Sequence, residues 1–273
     1  MKSAAYLFRC ASCGWLFLYA LSVFILGEDA FSSAHVPLTR SDGLLSNIGM
    51  LLELATPVVC MVIVVVLLVL SIVMARFPRW WLGLLIWFLF RIITHRMWLA
   101  SNGGIQLMEN MLFWSSFMHV SASSNALLST IGTSAFWIAR LQLLLAYAAA
   151  AAHKFTGTTW LDGSAMSLVV ADPTFNLGWL SASPFLCTVL TYATLAFMAL
   201  FPLAVWWKPT RRWWLCIGVV FHLCTAVFMG IPQMGFAFIA CYALWLNEEE
   251  VRAIIDRSRR LWLRFELRAA RAR

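Results

Sequence analysis

The sequence has little charge. Only 12% of its 273 residues are charged, 62% are hydrophobic, and the mean hydropathy is +0.83. Water-soluble domains carry about 25% charged residues, so this composition excludes that class and indicates a membrane protein. The chain also lacks an internal repeat and a low-complexity linker, which favours one membrane domain over a series of modules.

Motifs for metal binding and disulfide frameworks are also scarce. There is no His-Glu-x-x-His motif, and the single C-x-x-C formed by Cys10 and Cys13 has no second pair. A redox or metal role for that pair is an alternative that one motif supports weakly. The other cysteines lie in apolar runs and behave as small hydrophobes; they are Cys60, Cys187, Cys216, Cys224 and Cys241. We therefore predict no metal and no disulfide framework.

Long apolar runs dominate what is present. The first, within residues 4–27, lacks a small-x-small cleavage site, so we interpret it as a retained span. With about 20 residues needed per crossing, the chain offers eight segments: 5–27, 50–75, 80–98, 105–120, 134–155, 184–207, 213–231 and 233–247. The fourth and eighth are short, so each could be tilted, re-entrant or interfacial. The predicted fold class is all-α, a polytopic membrane helix bundle of about eight spans.

Most of the basic residues, 15 of 20, occur in four groups. Eight crossings place all four groups on one side, which the positive-inside rule assigns to the cytoplasm. They are Lys2 with Arg9, Arg76 with Arg79, Lys208 with Arg211 and Arg212, and the arginines of the C-terminal tail.

The last 26 positions, 248–273, follow the predicted 1–247 transmembrane bundle and carry eight arginines and five acids, which is +3 of the chain's net charge of +8. Leu261, Trp262, Leu263 and Phe265 give this tail one apolar side, so we predict a basic amphipathic helix on an anionic membrane surface. An ordinary positive-inside tail is the alternative. No nucleic-acid motif is present, and we predict no nucleic-acid partner.

The fifth span ends in ionisable residues. His153 and Lys154 follow a run of alanines, and Asp162 lies eight residues beyond the lysine. Charged groups at membrane depth are costly and need a partner, a wet cavity or a function. A lysine that reaches from the helix end to the interface is the simpler interpretation. Arg140, Tyr147 and Lys154 are spaced by seven and share one face, which lines either a cavity or a helix-packing stripe.

Arg91 and His95 lie one turn apart in the third span. A lone guanidinium near mid-span needs a partner, and Glu53 and Glu109 are the acids most favoured to supply one. His222, in the seventh span, is more typical of a satisfied core histidine than of a catalytic one.

The motifs of this region resemble those of a known family. They are Arg140-x-Gln142-x-x-x-x-Tyr147, His153-Lys154-Phe155, Trp160-x-Asp162-Gly163-x-Ala165, and the entry Asn102-Gly103-Gly104 to the fourth span. Over about residues 80–247 the chain resembles the bacterial horizontally transferred transmembrane domain (HTTM) proteins. That group is similar to the membrane part of vitamin K-dependent gamma-carboxylase and includes the sporulation-delaying-protein B type.

The resemblance implies a function. Lys154 matches the lysine that deprotonates reduced vitamin K, which implies a membrane quinol as cofactor and an exported peptide as substrate. His153 and Asp162 would tune or relay the proton. Arg91 and His95 would hold an oxygen anion or the substrate, and Arg140, Tyr147, Trp160 and Asn102 complete the expected binding residues. The family also implies the plasma (inner) membrane of a bacterium, with Lys154 on the outer side.

Two departures support a different function. The carboxylase has a histidine in an Asn-His-x-Tyr-Leu stretch where this chain has Asn102-Gly103-Gly104, and its large luminal domain has no counterpart here. The alternative is a non-catalytic subunit or partner protein of a toxin-maturation or other membrane complex. A small transporter is less favoured, because the sequence has no inverted repeat and no paired broken helices.

Overall fold

The computed structural model describes residues 2–31, 56–97, 100–175, 180–181 and 183–271. Within these ranges the chain forms eleven α-helices and no strand. They are α1 Lys2–Leu26, α2 Pro57–Arg76, α3 Trp80–Arg96, α4 Gly103–Met118, α5 Ala126–Phe155, α6 Thr158–Leu161, α7 Ala165–Ala171, α8 Pro184–Ala204, α9 Lys208–Phe228, α10 Pro232–Tyr242 and α11 Glu248–Arg271. Short 3-10 helices occupy Gly27–Phe31, His119–Ala122 and Ala243–Trp245. The all-α fold class is confirmed.

Five helices are long and apolar enough to cross a membrane: α1, α2, α5, α8 and α9. The predicted third, fourth and eighth spans coincide with α3, α4 and α10, which have 17, 16 and 11 residues. Helix α2 leaves Val62, Val69 and Ile72 more than half exposed. Such an apolar outer face is typical of a helix in contact with lipid. The chain is therefore plausible as an integral membrane protein.

Several helix starts follow from local sequence. The side chain of Asn125 accepts hydrogen bonds from the N–H groups of Leu127 and Leu128, so α5 begins eight residues before the predicted limit of 134. Helices α2, α8 and α10 have proline at their first position, where the missing N–H costs nothing. The predicted loop 156–183 contains the short helices α6 and α7.

Helix α10 packs mainly against α1, α4 and α9, and it also contacts α5. Small residues permit this close approach. A Cβ on Gly104 of α4 would lie 2.3 Å from Cα of Met234, and one on Gly235 would lie 2.4 Å from the carbonyl oxygen of His222. Side chains cannot occupy such gaps, so the contacts depend on glycine. The main core surrounds this junction and includes Phe8, Phe90, Met108, Leu143 and Phe201.

Different residues lie at the two ends of the helix bundle. The start of α1, the turn between α2 and α3, and the connection between α4 and α5 line one pocket. Helix α5 begins at that end, so Lys154, near its last residue, lies at the other end, about 40 Å away at 1.5 Å per residue. We refer below to the end where α1 and α5 begin as the start end, and to the opposite end as the Lys154 end. Glu53 and the segment 50–55 lie outside the described residues.

Candidate functional site

At the Lys154 end, one amine lies against an aromatic ring. Lys154 is half-buried, and its Nζ lies 4.6 Å from the ring centroid of Trp160, which belongs to α6. The chain returns there through the turn at Thr156 and Gly157, whose N–H groups bond to the last carbonyls of α5. This cation–π contact gives the amine a partner that a snorkelling lysine would lack.

The other two residues of the expected catalytic set point elsewhere. His153 is exposed, and no hydrogen bond or ion pair joins Lys154 to His153 or Asp162 in the described ranges. Asp162 accepts a hydrogen bond of 2.9 Å from the backbone N–H of Ser164. The hydroxyl and N–H of Ser164 lower the pKa of this exposed carboxyl. The structure therefore brings together Lys154 and Trp160 and leaves Asp162 in a local turn.

Arg91 finds its partner in the neighbouring helix. Its guanidinium forms a salt bridge with the carboxylate of Glu109, one of the two acids that the sequence favoured. The hydroxyl of Thr94 donates a hydrogen bond of 3.2 Å to the second oxygen of Glu109. The pair links α3 to α4, so Arg91 carries no uncompensated charge. His95 lies half-buried one turn later, near the end of α3.

A buried polar group inside the described bundle contains Tyr147, His222 and Tyr242, which we call the tyrosine–histidine cluster. The phenol of Tyr147 lies 2.5 Å from Nε2 of His222 and is also hydrogen-bonded to the phenol of Tyr242. The exposed fractions of the three residues are 1%, 1% and 4%. The two phenols and Nε2 of His222 are paired with one another without access to water. Nδ1 of His222 is buried and has no hydrogen-bond partner among the described residues.

An aromatic shell closes around the cluster. The rings of Phe197, Phe201 and Phe238 lie 5.6, 4.4 and 5.1 Å from the ring of Tyr147. The imidazole of His222 stacks on Phe238 at 4.5 Å. The cluster can share a proton between two phenols and an imidazole without exposing net charge, and the shell restricts access to it.

Two other expected binding residues have local structural partners. Arg140 donates from Nε to the carbonyl of Leu244 at 2.8 Å, and its guanidinium lies 4.8 Å from the Trp245 ring centroid. Asn102 caps α4 by accepting hydrogen bonds from Gly104 and Ile105. The stripe of Arg140, Tyr147 and Lys154 thus contacts three different sets of partners, which favours the helix-packing interpretation for its first two members.

Sequence reasoning missed Tyr242 and undervalued His222. Tyr242 lies four residues after Phe238, so both occupy one face of α10. Gly218 of α9 also marks this place, because a Cβ there would lie 2.2 Å from the Tyr242 hydroxyl. The sequence indicated the importance of Tyr242 only through its position, as a polar residue on the inner face of the short helix α10, which is rich in small residues.

No group of three or more His, Cys, Asp or Glu side chains positioned to hold a metal occurs among the described residues. Comparisons of the chain with protein-family models, with curated proteins and with solved structures give no match. The family resemblance of the sequence motifs therefore stays a prediction.

Proposed function

We propose that the chain is an integral protein of a bacterial plasma membrane, with eight crossings and a cytoplasmic tail. Three observations support this topology. The eight main helices coincide with the eight apolar segments, the basic residues Lys2 and Arg9 share the start end with the turn that carries Arg79, and α11 packs against α1. The basic helix α11 would then lie on the anionic cytoplasmic surface.

The topology is tested with reporter fusions in bacteria. Alkaline phosphatase, which is active only outside the cytoplasm, is joined after residue 164 or after residue 247. The proposal expects activity at the first junction alone. Activity at both junctions, or only at the second, would rule out the eight-crossing orientation.

We propose that the protein binds a membrane quinol beside Lys154 and uses it in the modification or maturation of an exported peptide. The half-buried Lys154 amine over the Trp160 ring carries this proposal. The indole face suits a flat aromatic headgroup. The Lys154 amine would accept a proton from a ring hydroxyl in its neutral form, after it has lost the proton of the ammonium. A quinol supplies reducing equivalents when bound, while Lys154 supplies the base and Trp160 the orientation.

A pair of substitutions separates proton acceptance from charge. Arginine at position 154 keeps the positive charge and the contact with Trp160 but cannot act as a base, whereas alanine removes both. If Lys154 is a base, Lys154→Arg and Lys154→Ala both abolish peptide maturation, and Lys154→Arg retains co-purified quinone that Lys154→Ala loses. Exposed Lys208 gives a matched control in Lys208→Ala. Full maturation in Lys154→Arg would eliminate the base role.

A second function is a non-catalytic subunit of a membrane complex. The absence of any hydrogen bond or ion pair between Lys154 and Asp162, together with the exposed His153, favours it. Purification in mild detergent distinguishes the two functions. Stoichiometric partner chains without quinone would support the subunit, and quinone lost in Lys154→Ala would support the enzyme.

A further inference from the structure

The pocket at the start end has a lining of cationic and hydroxyl side chains. It encloses about 270 Å³ between α1, the turn after α2, and the 3-10 helix that follows α4. The polar lining consists of Lys2, Tyr6, Arg9, Ser115, His119 and Ser121. None of the lining residues is acidic, so the positive charge of the pocket has no balancing carboxylate within it.

Arg9 indicates most directly that a ligand is needed. Its Nε is buried and has no hydrogen-bond partner among the residues that the structure describes. The guanidinium carbon lies 5.2 Å from the ring centroid of Tyr6. Neither Arg9 nor Lys2 forms an ion pair within the described ranges. A buried N–H without an acceptor is costly, and a bound anion would supply that acceptor.

Further positive charge surrounds the pocket. Arg76 acts electrostatically on Tyr6, and Arg79 acts on His119. The nearby helix α11 begins with acids, but Glu250 pairs with Arg212 and Glu248 pairs with Arg252. Glu248 and Glu250 are therefore already engaged, and the third acid of that turn, Glu249, is exposed and does not line the pocket. The pocket keeps its excess of positive charge.

We propose that this pocket binds a phosphate group, supplied in the membrane by the headgroup of an anionic phospholipid. A guanidinium fork matches phosphate oxygens, an ammonium adds charge, and the hydroxyls of Tyr6 and Ser121 are further donors. The volume corresponds to roughly nine waters at ~30 Å³ each, enough for a phosphate with a glycerol unit. Ala5 and Met118 give the apolar part of the lining. The site is at the opposite end from Lys154 and is independent of any quinol chemistry.

The test uses the full chain, delipidated in a non-ionic detergent. Thermal unfolding is monitored by tryptophan fluorescence. Detergent micelles are doped with phosphatidylglycerol or phosphatidylcholine, or the protein is titrated with free glycerol phosphate. We expect a saturable rise in Tm with phosphatidylglycerol and a much smaller one with phosphatidylcholine. Arg9→Gln should weaken the apparent affinity for phosphatidylglycerol about tenfold, because a charge-assisted contact is lost.

Three variants keep the test independent of misfolding. Lys208→Gln removes the same charge from an exposed position outside the pocket and should respond like the wild type. Arg9→Lys preserves the charge and should retain an intermediate affinity. Lys2→Gln, at an exposed residue of the first turn, should also weaken binding and provides the readout if Arg9→Gln does not fold.

Each outcome bears on the proposal. Equal responses of Lys208→Gln and the pocket variants would overturn it, as would the absence of any rise in Tm. If free glycerol phosphate stabilises the wild type as strongly as phosphatidylglycerol at equal concentration, the phosphate chemistry stands and the lipid source is overturned. Selective loss of the phosphatidylglycerol effect in the pocket variants would establish the headgroup site.

Discussion

The phenol oxygen of Tyr147 lies 2.5 Å from Nε2 of His222, although 75 positions separate the two residues. The same phenol is hydrogen-bonded to Tyr242, so one hydroxyl joins α5, α9 and α10. Lipid-facing helices gain little from apolar contact with one another, because lipid tails are equally apolar. Interhelical hydrogen bonds and close packing must therefore provide much of the specificity with which these three helices associate.

Tyr147→Phe tests the contribution of this hydroxyl. The substitution keeps the ring but leaves Nε2 of His222 and the phenol of Tyr242 without their shared partner. We expect a loss of about 1–2 kcal/mol in unfolding free energy, the range for interhelical polar contacts. Thermal and denaturant unfolding in detergent measure it. Tyr192→Phe removes a hydroxyl at an exposed site and should cost less than about 0.5 kcal/mol. Equal losses in the two variants would contradict a special role for the cluster.

Gly218→Ala tests the close packing beside the same cluster. A Cβ at residue 218 would lie 2.2 Å from the Tyr242 hydroxyl and 2.7 Å from its ring carbon. The tyrosine is fully enclosed and cannot move without breaking its hydrogen bond, so we expect a loss of about 1–3 kcal/mol.

Gly14→Ala is the matched control for that substitution. No atom lies within 4 Å of a Cβ added at Gly14, which is also inside a long helix. The helical preference of alanine over glycine should leave this variant unchanged or up to about 1 kcal/mol more stable. A neutral effect at both positions would mean that α9 and α10 are not held as closely as the structure indicates.

The apolar runs of the sequence predicted the positions of most of the main helices, because the length of an apolar run is a local property. Each of the eight apolar segments corresponds to one of the main helices, and errors occur at their ends. The start of α5 was misplaced because the capping by Asn125 lies in a polar stretch that apolar runs do not reveal. Local sequence thus predicts where a helix lies better than where it begins.

The contacts of the candidate site were less predictable. Glu109 was one of two acids proposed for Arg91, and charge balance alone could not choose between them because the choice depends on how α3 and α4 align. Tyr242 lies in the shortest of the eight helices and is 95 positions from Tyr147. Such pairings depend on the packing of distant segments, and spacing within one helix contains no information about them.

The ion pair between Arg91 and Glu109 predicts a coupling that a double-mutant cycle can measure. Glu109→Gln or Arg91→Met alone leaves one charge of the α3–α4 contact without its partner, and each should cost about 1 kcal/mol because the Arg91 side chain is half exposed. The double variant Arg91→Met with Glu109→Gln should be less destabilised than the sum of the two single variants. Additive losses would show that the pair contributes no mutual stabilisation. Unfolding in detergent gives all three values.

Acid should weaken the attachment of α11 through Glu250. Burial alone would raise the pKa of this carboxyl, but hydrogen bonds from Asn247 and Arg212 and the charge of Arg211 lower it below its usual value. Glu250 and Asn247 also exchange two hydrogen bonds. The backbone N–H of Asn247 donates to the Glu250 carboxylate at 2.7 Å, and the backbone N–H of Glu250 donates to the Asn247 side-chain oxygen at 2.8 Å. This is a capping box at the start of α11.

The sign of the pH effect follows from the lowered pKa. A carboxyl with a folded-state pKa below its unfolded value of about 4.3 contributes stability above that value and loses it as the pH falls through the folded pKa. Between about pH 6 and about pH 3, the Tm of the wild type should therefore fall further than that of Glu250→Gln, which lacks the ionised group. Glu249→Gln alters an exposed neighbour and should follow the wild-type profile. Parallel pH profiles for wild type and Glu250→Gln would show that the capping carboxylate does not anchor α11 to α9.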